Sequence, residues 1–299
     1  MNWRPETRPC PLCGTEAYAA LGRRGGTAHR SGQGVETTIV RCGGCHAVYP
    51  RPFLLPERNP YEAHASDDYF AAHAPQDKAA AARWLVDTAR QKLGRTGRLL
   101  ELGCGRGETL AAAKAQGWAV RGVEMTAAFA ARAEGVDIEV AAVEQAKSLD
   151  ETWDVVLLAA ILEHLYEPAE CLARIRKALV PGGLLYIDVP NECGLWTRAA
   201  NAYFRLRGRD WASNLSPTFP PYHVVGFCPA SLARALRAHR YEIVHLKTHR
   251  WRNELPAGDG LIGKIERRAA DLVLSLGARL GMGAGITCWA RAPITGTQE

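Results

Sequence analysis

The chain has 299 residues and the composition of an ordinary globular protein, 47% hydrophobic and 23% charged. Its formal charge of +6 is spread along the chain and lacks the dense basic run that nucleic-acid-binding proteins usually carry. No stretch reaches the roughly 20 apolar residues of a membrane-spanning helix, and the first residues lack the apolar core of a signal peptide. The length predicts one large domain with a smaller unit attached.

Two Cys-x-x-Cys pairs lie near the N-terminus, in the segments RPCPLCG and RCGGC. The alternating, β-branched segment VETTIVRC predicts a strand that leads into the second pair. Four thiolates favour a closed, tetrahedral zinc site, whereas a thioredoxin-like redox pair requires a single pair in a βαβ setting. We therefore predict a structural zinc ribbon over residues 1–50, with the ligands Cys10, Cys13, Cys42 and Cys45.

The five other cysteines are scattered through apolar or glycine-rich surroundings. An odd, scattered set argues against the disulfide framework of a secreted protein. We therefore expect a reducing, cytoplasmic compartment.

The segment 51–75 follows the ribbon and opens with the proline-rich sequence around PRPFLLPERNP, which predicts an extended linker leading to a lid. Three aromatic residues in this segment are candidates for the edge of an active site: Tyr61, Tyr69 and Phe70.

Residues 76–299 show strands and helices in alternation. A helix is predicted over KAAAARWLVDTARQKLG, and strands are predicted at GRLLELGCG, AVRGVEM, DIEVA, WDVVLLAA and LLYIDVP. Helices are predicted between them at ETLAAAKAQG, TAAFAARAEG and EPAECLARIRKALVPGG. Such alternation predicts a Rossmann-like α/β fold, with a mostly parallel sheet covered by helices on both faces.

An insertion near residues 191–226 interrupts this alternation and is predicted to form a lid over the site. Its aromatic residues either line an acceptor pocket or pack the lid on the sheet: Trp196, Tyr203, Phe204, Trp211 and Tyr222. The following helix starts at Pro229, and Cys228 before it is expected to be a weak cap.

A long amphipathic helix, Leu261–Leu280, lies in a second insertion near 255–283. Packing in the core is the favoured interpretation of its apolar stripe, and a dimer face or peripheral membrane contact are the alternatives. The segment GITCWARAP after it predicts the last strand.

The segment ELGCGRG ends the first strand of the α/β region and opens a helix. Glycines at this position let the backbone approach a ligand closely, and the helix N-terminus offers free N–H groups. A dinucleotide-binding loop requires G-x-G-x-x-G, but the position of its third glycine is occupied by Glu108. The spacing therefore argues against NAD.

Four segments in this order resemble the motifs of class I S-adenosylmethionine (SAM)-dependent methyltransferases: ELGCGRG, the strand end at Glu124, WDVVLLAAILEHLYEP and LVPGGLLYIDVPN. The resemblance implies a seven-stranded sheet with a final antiparallel strand. It also implies that Glu101 and the glycine loop hold the amino-acid end of SAM and that Glu124 holds the ribose. The full set of implied SAM-binding residues is Glu101, Gly103, Cys104, Gly105, Gly107, Glu124, Met125, Val143 and Ala159.

Two histidines are placed to accept a proton from a methyl acceptor. His164 follows the fourth strand of the α/β region, and cofactor sites in such sheets lie at the strand C-termini. His223 ends the predicted lid. A histidine suits proton abstraction near neutral pH, although both could instead be structural or solvated residues.

The leading hypothesis is a methyltransferase for a small-molecule acceptor such as a sugar, methylated on carbon or oxygen, in a monomer or homodimer. Some members of the methyltransferase family that this sequence resembles also carry zinc, and this resemblance implies a ribbon that shapes the acceptor side of the active site. An rRNA or tRNA methyltransferase that grips RNA through the ribbon is the alternative, but the ribbon lacks an array of stacking aromatic residues. A non-catalytic SAM binder is a third possibility.

Overall fold

The computed structural model describes residues 2–61, 75–131, 133, 135–251 and 261–294. The candidates Tyr69 and Phe70 lie outside the described residues.

A seven-stranded sheet forms the centre of the protein. Its strands are β6 (Arg98–Leu102), β7 (Ala119–Glu124), β8 (Ile138–Val140), β9 (Trp153–Ala159), β10 (Leu179–Pro190), β11 (Glu242–His249) and β12 (Gly285–Arg291). The spatial order is β11-β12-β10-β9-β6-β7-β8. Only β12 runs antiparallel to its neighbours, so the predicted α/β fold with a final antiparallel strand is confirmed.

Helices cover both faces of this sheet. They are α1 (Pro75–Leu93), α2 (Glu108–Ala115), α3 (Ala127–Ala130), α4 (Pro168–Ala178), α5 (Leu195–Leu206), α6 (Pro229–Ala238) and α7 (Leu261–Arg279). Alternate strand residues enter different cores: Val156 and Leu158 of β9 pack with Leu172 of α4, whereas Leu157 packs with Val86 of α1. This alternation is what a sheet buried on both faces requires.

Two local predictions about helices are wrong. Among its described residues, the segment TAAFAARAEG is helical only over the single turn α3, which ends at Ala130. Cys228 is not a weak cap: its thiol accepts a hydrogen bond from Ser231 N, and the Ser231 hydroxyl accepts from Cys228 N at 2.8 Å. The pair forms a capping box in which sulfur replaces the usual oxygen.

The start of the segment 51–75 is not a linker. Residues of the proline-rich stretch form β4 (Val48–Arg51) and β5 (Phe53–Pro56), and β5 pairs with β1 (Trp3–Glu6). Tyr49 and Phe53 are fully buried and stack at 5.6 Å between ring centroids. Prolines were compatible with strands here because these are short edge strands.

The ribbon is built on a three-stranded antiparallel sheet of β2 (Tyr18–Arg24), β3 (Thr37–Cys42) and β4. Residues of the predicted lid bond directly to this sheet. Val48 and Gly226 exchange two backbone hydrogen bonds, at 2.9 and 2.7 Å, and Arg23 forms an ion pair with Asp210. The lid is therefore attached to the ribbon as well as to the central sheet.

The apolar stripe of α7 is not a core face. Leu272, Leu276 and Leu280 are 69%, 46% and 60% exposed, whereas Ala270 and Leu274 are buried. The side chains of Ile262 and Ile265 lie outside the described residues. The core interpretation of this stripe is therefore wrong. Among the described residues, no helix is both long and apolar enough to cross a membrane.

Candidate active site

A cavity of about 750 Å³ opens at the carboxyl ends of β6, β7, β9 and β10. This is the edge at which open α/β sheets bind their ligands, and the volume lies in the range of small-molecule sites. Each of these four strands contributes one lining residue near its carboxyl end: Glu101, Glu124, Ala159 and Asp188.

Glu101 is a buried carboxylate at one end of the cavity, 6% exposed. Its Oε2 atom has no hydrogen-bond partner among the described residues. Burial, together with the charges of Glu108 and Glu124, raises the pKa of Glu101 to about 8, although a hydrogen bond with Thr109 acts in the opposite direction. A buried, unpaired acceptor atom on a residue that lines a ligand cavity is a suitable partner for a cationic donor group of a ligand.

Glu124 organises the glycine loop from the next strand. Its carboxylate accepts hydrogen bonds from Gly105 N at 3.0 Å and from Thr126 N at 2.9 Å. A carboxylate has about four acceptor positions, so further hydroxyl groups can still be bound. The side chain is buried and lines the cavity.

The glycine loop leaves no room for a side chain at Gly103. The residue has φ +70°, and a Cβ atom there would lie 2.0 Å from Cδ1 of Ile161. The peptide backbone of the loop therefore forms the wall of the cavity, as a close-fitting ligand requires. Cys104 also lines the cavity, and its side chain lies over Gly122, whose Cβ position is 2.4 Å from the thiol sulfur.

Eight of the nine predicted cofactor residues line this one cavity. They are Glu101, Gly103, Cys104, Gly105, Glu124, Met125, Val143 and Ala159. The ninth, Gly107, lies outside the lining and packs the start of α2 against Val136 and Ala133.

Of the two predicted bases, His164 lines the cavity and His223 does not. His223 lies behind His164, with ring centroids 4.8 Å apart and an interplanar angle of 69°. Burial lowers the pKa of His164 to about 4. The pKa of His223 is also lowered, mainly by burial and to a lesser extent by the nearby His164. Both rings are therefore neutral at pH 7.

Glu163 completes this cluster, 1% exposed, with a pKa that burial raises to about 8. Its Oε1 atom lies 3.9 Å from His164 Nε2 and 3.8 Å from His223 Nε2. Both distances are too long for hydrogen bonds.

Aromatic side chains surround His164 at this end of the cavity. The Tyr61 hydroxyl is 2.8 Å from His164 Nδ1, and the rings of Tyr61 and Tyr222 are 5.3 Å apart. Trp3, from the first strand of the chain, lies 6.3 Å from Tyr222. The cavity thus has a carboxylate end at Glu101 and Glu124 and an aromatic end at His164.

Of the five aromatic residues predicted for the acceptor pocket, Tyr222 lines the cavity and the other four do not. Phe204 instead packs between Tyr203 and Trp211 at centroid distances of 5.8 and 5.4 Å. These three rings thus pack against one another within the lid and do not line the cavity.

Several residues that line the cavity were not predicted from the sequence: Trp3, Tyr166, Tyr186 and Asp188. Asp188 ends the motif LLYIDVP and accepts hydrogen bonds from His249 Nε2 at 2.8 Å and from the Thr287 hydroxyl at 3.1 Å. Its place at a strand C-terminus was a usable signal. No local pattern marks Trp3, which reaches the site through the pairing of β1 with β5.

The four ribbon cysteines converge as predicted. The sulfur atoms of Cys10 and Cys45 are 3.6 Å apart, those of Cys13 and Cys42 are 3.5 Å apart, and all four lie within 4.8 Å of one another. Tetrahedral zinc–thiolate bonds of about 2.3 Å place sulfur atoms about 3.8 Å apart. Gly44 N and Cys45 N donate to the Cys42 sulfur. The donor set therefore fits a zinc ion.

Comparisons with known proteins show which family this chain is similar to. A family model described as "Methyltransferase domain" matches residues 71–246, a region that begins after the ribbon. The ubiquinone biosynthesis O-methyltransferase of Aeromonas salmonicida is 28% identical over 161 residues, 50% of this chain and 64% of that protein. Its counterpart in Caulobacter vibrioides is 32% identical over 135 residues, 40% of this chain and 54% of that protein. The chain thus spans less than two thirds of each relative.

Solved structures show the same fold. A SAM-dependent methyltransferase from Archaeoglobus fulgidus has a TM-score of 0.50 at 20% identity, over 71% of this chain and 94% of that one. The plantazolicin methyltransferase BpumL in complex with S-adenosylhomocysteine (SAH) has a TM-score of 0.52 at 14% identity, over 79% and 91%. Since the family match covers more than half of the residues, this chain belongs to the methyltransferase domain family.

Proposed function

We propose that the protein is a SAM-dependent methyltransferase acting on a small-molecule acceptor. The observation that carries the proposal is the carboxylate end of the cavity, where buried Glu101, whose Oε2 atom is unpaired among the described residues, lines the same cavity as Glu124 and the glycine loop. Glu101 would accept from the ammonium group of SAM, and Glu124 would accept from the ribose hydroxyls. SAM supplies an activated methyl group for in-line displacement, so the protein's task is to align the acceptor and exclude water.

The acceptor would bind at the aromatic end, between His164 and the rings of Tyr61 and Tyr222. The roles of His164 and His223 in removing the acceptor's proton stay predictions, with His164 the one that borders the cavity. The curated relatives are named as O-methyltransferases, which supports an oxygen acceptor over a carbon acceptor here.

An RNA acceptor is less favoured because two of the basic ribbon residues are engaged within the protein. Arg23 pairs with Asp210 and Glu36, and Arg24 donates to Leu215 O. Their guanidinium groups therefore bind the lid and the ribbon. A cytoplasmic location stays a prediction, as does the monomeric or dimeric state.

We further propose that the ribbon, held by a structural zinc ion, selects the acceptor. Its β1–β5 pair brings Trp3 and the residues from Pro56 to Pro60 to the cavity wall. The division into a ribbon over 1–50 and a methyltransferase domain over 76–299 then separates specificity from methyl-group donation.

The decisive test is methyl transfer from SAM with a labelled methyl group to a panel of acceptors: catechols, hydroxylated quinone precursors, sugars and bulk RNA. We expect label in a small hydroxylated molecule. The same acceptors are tested with the Glu124→Ala variant as a control, which should lose methyl transfer. Label in RNA alone would favour the alternative function, and absence of SAM binding in calorimetry would exclude both.

The pKa of Glu101 predicts proton release when the ligand binds. With a pKa of about 8 in the free protein, this carboxyl group is protonated at pH 7. An ammonium group beside it favours the ionised form, so binding should release close to one proton at pH 7. Affinity should consequently rise about tenfold per pH unit up to about pH 8 and then level off.

Calorimetry of SAH binding at pH 7, in buffers that differ in ionisation enthalpy, measures this proton count directly. Glu101→Gln should abolish the release, whereas Glu170→Gln on the exposed surface of α4 should retain it. An identical proton count in the wild type and in Glu101→Gln would contradict the assignment.

A further inference from the structure

Glu163, His164 and His223 bring their donor atoms together beside the cavity, which His164 lines. The Oε1 atom of Glu163 lies 3.9 Å from His164 Nε2 and 3.8 Å from His223 Nε2, and all three ligand atoms lie within 4.8 Å of one another. Both carboxylate oxygens of Glu163 are buried without a hydrogen-bond partner among the described residues. A buried carboxylate left unpaired is costly, and a bound cation would remove that cost.

The imidazole of His164 is oriented as a metal ligand is. Its Nδ1 lies 2.8 Å from the Tyr61 hydroxyl and 3.3 Å from Tyr222 O. Since the Tyr61 hydroxyl donates to Pro221 O at 2.9 Å, it can accept from Nδ1–H, as Tyr222 O can. These oxygen partners favour a proton on Nδ1, which leaves the lone pair on Nε2, the atom 3.9 Å from Glu163 Oε1. Metal-binding histidines typically donate their second ring N–H to an oxygen in this way.

The backbone already holds the three residues together. Glu163 and His164 lie in the turn after β9, and His223 comes from the lid. Val224 N and Val225 N, which follow His223, both donate to Glu163 O, at 2.8 and 3.0 Å. The ligands are thus brought together before any ion binds, and small side-chain movements would bring them to the usual metal–ligand distances of about 2.0–2.2 Å.

We propose that Glu163, His164 and His223 form a second metal site, separate from the four cysteines, for a divalent cation of the zinc type. Two imidazole nitrogens and one carboxylate are donors that zinc and neighbouring first-row metals bind. The ion would tie the lid to the end of β9. Three protein ligands leave a fourth position for water or for an acceptor oxygen, because the His164 ring also borders the cavity. The site does not depend on the proposed SAM chemistry.

Metal counting on the whole protein tests this proposal. The purified chain is stripped with chelator, reloaded with Co²⁺, desalted and analysed for bound metal. We expect two ions per chain in the wild type and one in Glu163→Gln and His223→Gln. The remaining ion should keep the intense thiolate-to-cobalt absorption of the cysteine site. His245→Gln, which alters an exposed histidine of β11, is the matched control and should keep two.

Unchanged SAH affinity and far-UV circular dichroism show which variants are folded, and the wild-type count needs no variant. One ion per chain in the wild type, with cobalt–thiolate absorption, would overturn the proposal. Two ions retained in both Glu163→Gln and His223→Gln would also overturn it, since the second ion would then lie elsewhere.

Discussion

Loss of the ribbon zinc is expected to destabilise the whole described chain, not the ribbon alone. The buried ribbon residues Cys42 and Tyr49, and Phe53 just after the ribbon, belong to the same apolar core as Val156 of the central sheet and Leu172 of α4. Phe53 also meets Tyr166 edge-on at 6.2 Å. Structural zinc supplies about 10–16 kcal/mol of folding free energy in isolated zinc fingers. Even a third of that free energy, about 3–5 kcal/mol, would lower the melting temperature of a chain of this length by about 5–8 °C.

Cys42→Ser tests this expectation, since Cys42 is buried and its sulfur accepts two backbone hydrogen bonds. The measurement is thermal unfolding followed by circular dichroism, together with zinc analysis. Cys171→Ser is the matched control, because Cys171 is equally buried but lies on α4, far along the chain from the ribbon ligands. It should retain zinc and lose little stability. A separate early transition in Cys42→Ser, with the main transition unchanged, would show that the ribbon folds independently.

The sheet and the carboxylate end of the cavity could be predicted because their signals are local. An apolar strand such as WDVVLLAA, buried on both faces, leaves a continuous hydrophobic run in the sequence. Glu101 and Glu124 end consecutive strands, and parallel strands end at the same edge of the sheet. The four cysteines carry their own spacing pattern.

The aromatic end could not be predicted because it is assembled from distant segments. Trp3 arrives through the first strand, Tyr61 through the segment after β5, and Tyr222 through the lid. Their positions at the aromatic end depend on how the ribbon and the lid pack together, which no periodicity in the sequence encodes. The prediction that the apolar stripe of α7 packs in the core failed for a related reason. An amphipathic pattern shows that a helix has an apolar face, but not what covers it.

Glu124→Ala is expected to weaken SAM and SAH binding by about 100- to 10,000-fold. Two ribose hydroxyls donating to a carboxylate contribute about 1.5–3 kcal/mol each, and each 1.4 kcal/mol is tenfold in affinity. The substitution also leaves Gly105 N and Thr126 N without their acceptor, which loosens the glycine loop. Glu124→Gln keeps one acceptor oxygen and should give an intermediate loss. Calorimetry with SAH measures both variants without requiring the acceptor.

A ligand analogue separates the ribose contacts from the loop effect. The wild type should bind a deoxyribose analogue of SAH more weakly than SAH, because one hydroxyl donor is missing. Glu124→Ala should bind the two ligands alike, since its carboxylate is gone, whereas Glu170→Ala on the exposed face of α4 should behave as the wild type. If Glu124→Ala still distinguished SAH from the analogue as strongly as the wild type does, the ribose would be held by another residue. Equal affinities of Glu124→Ala for the two ligands, which mean a larger loss for SAH than for the analogue, would therefore locate the ribose at the end of β7. They would also fix the direction in which the ligand lies across the cavity, from the carboxylate end towards His164.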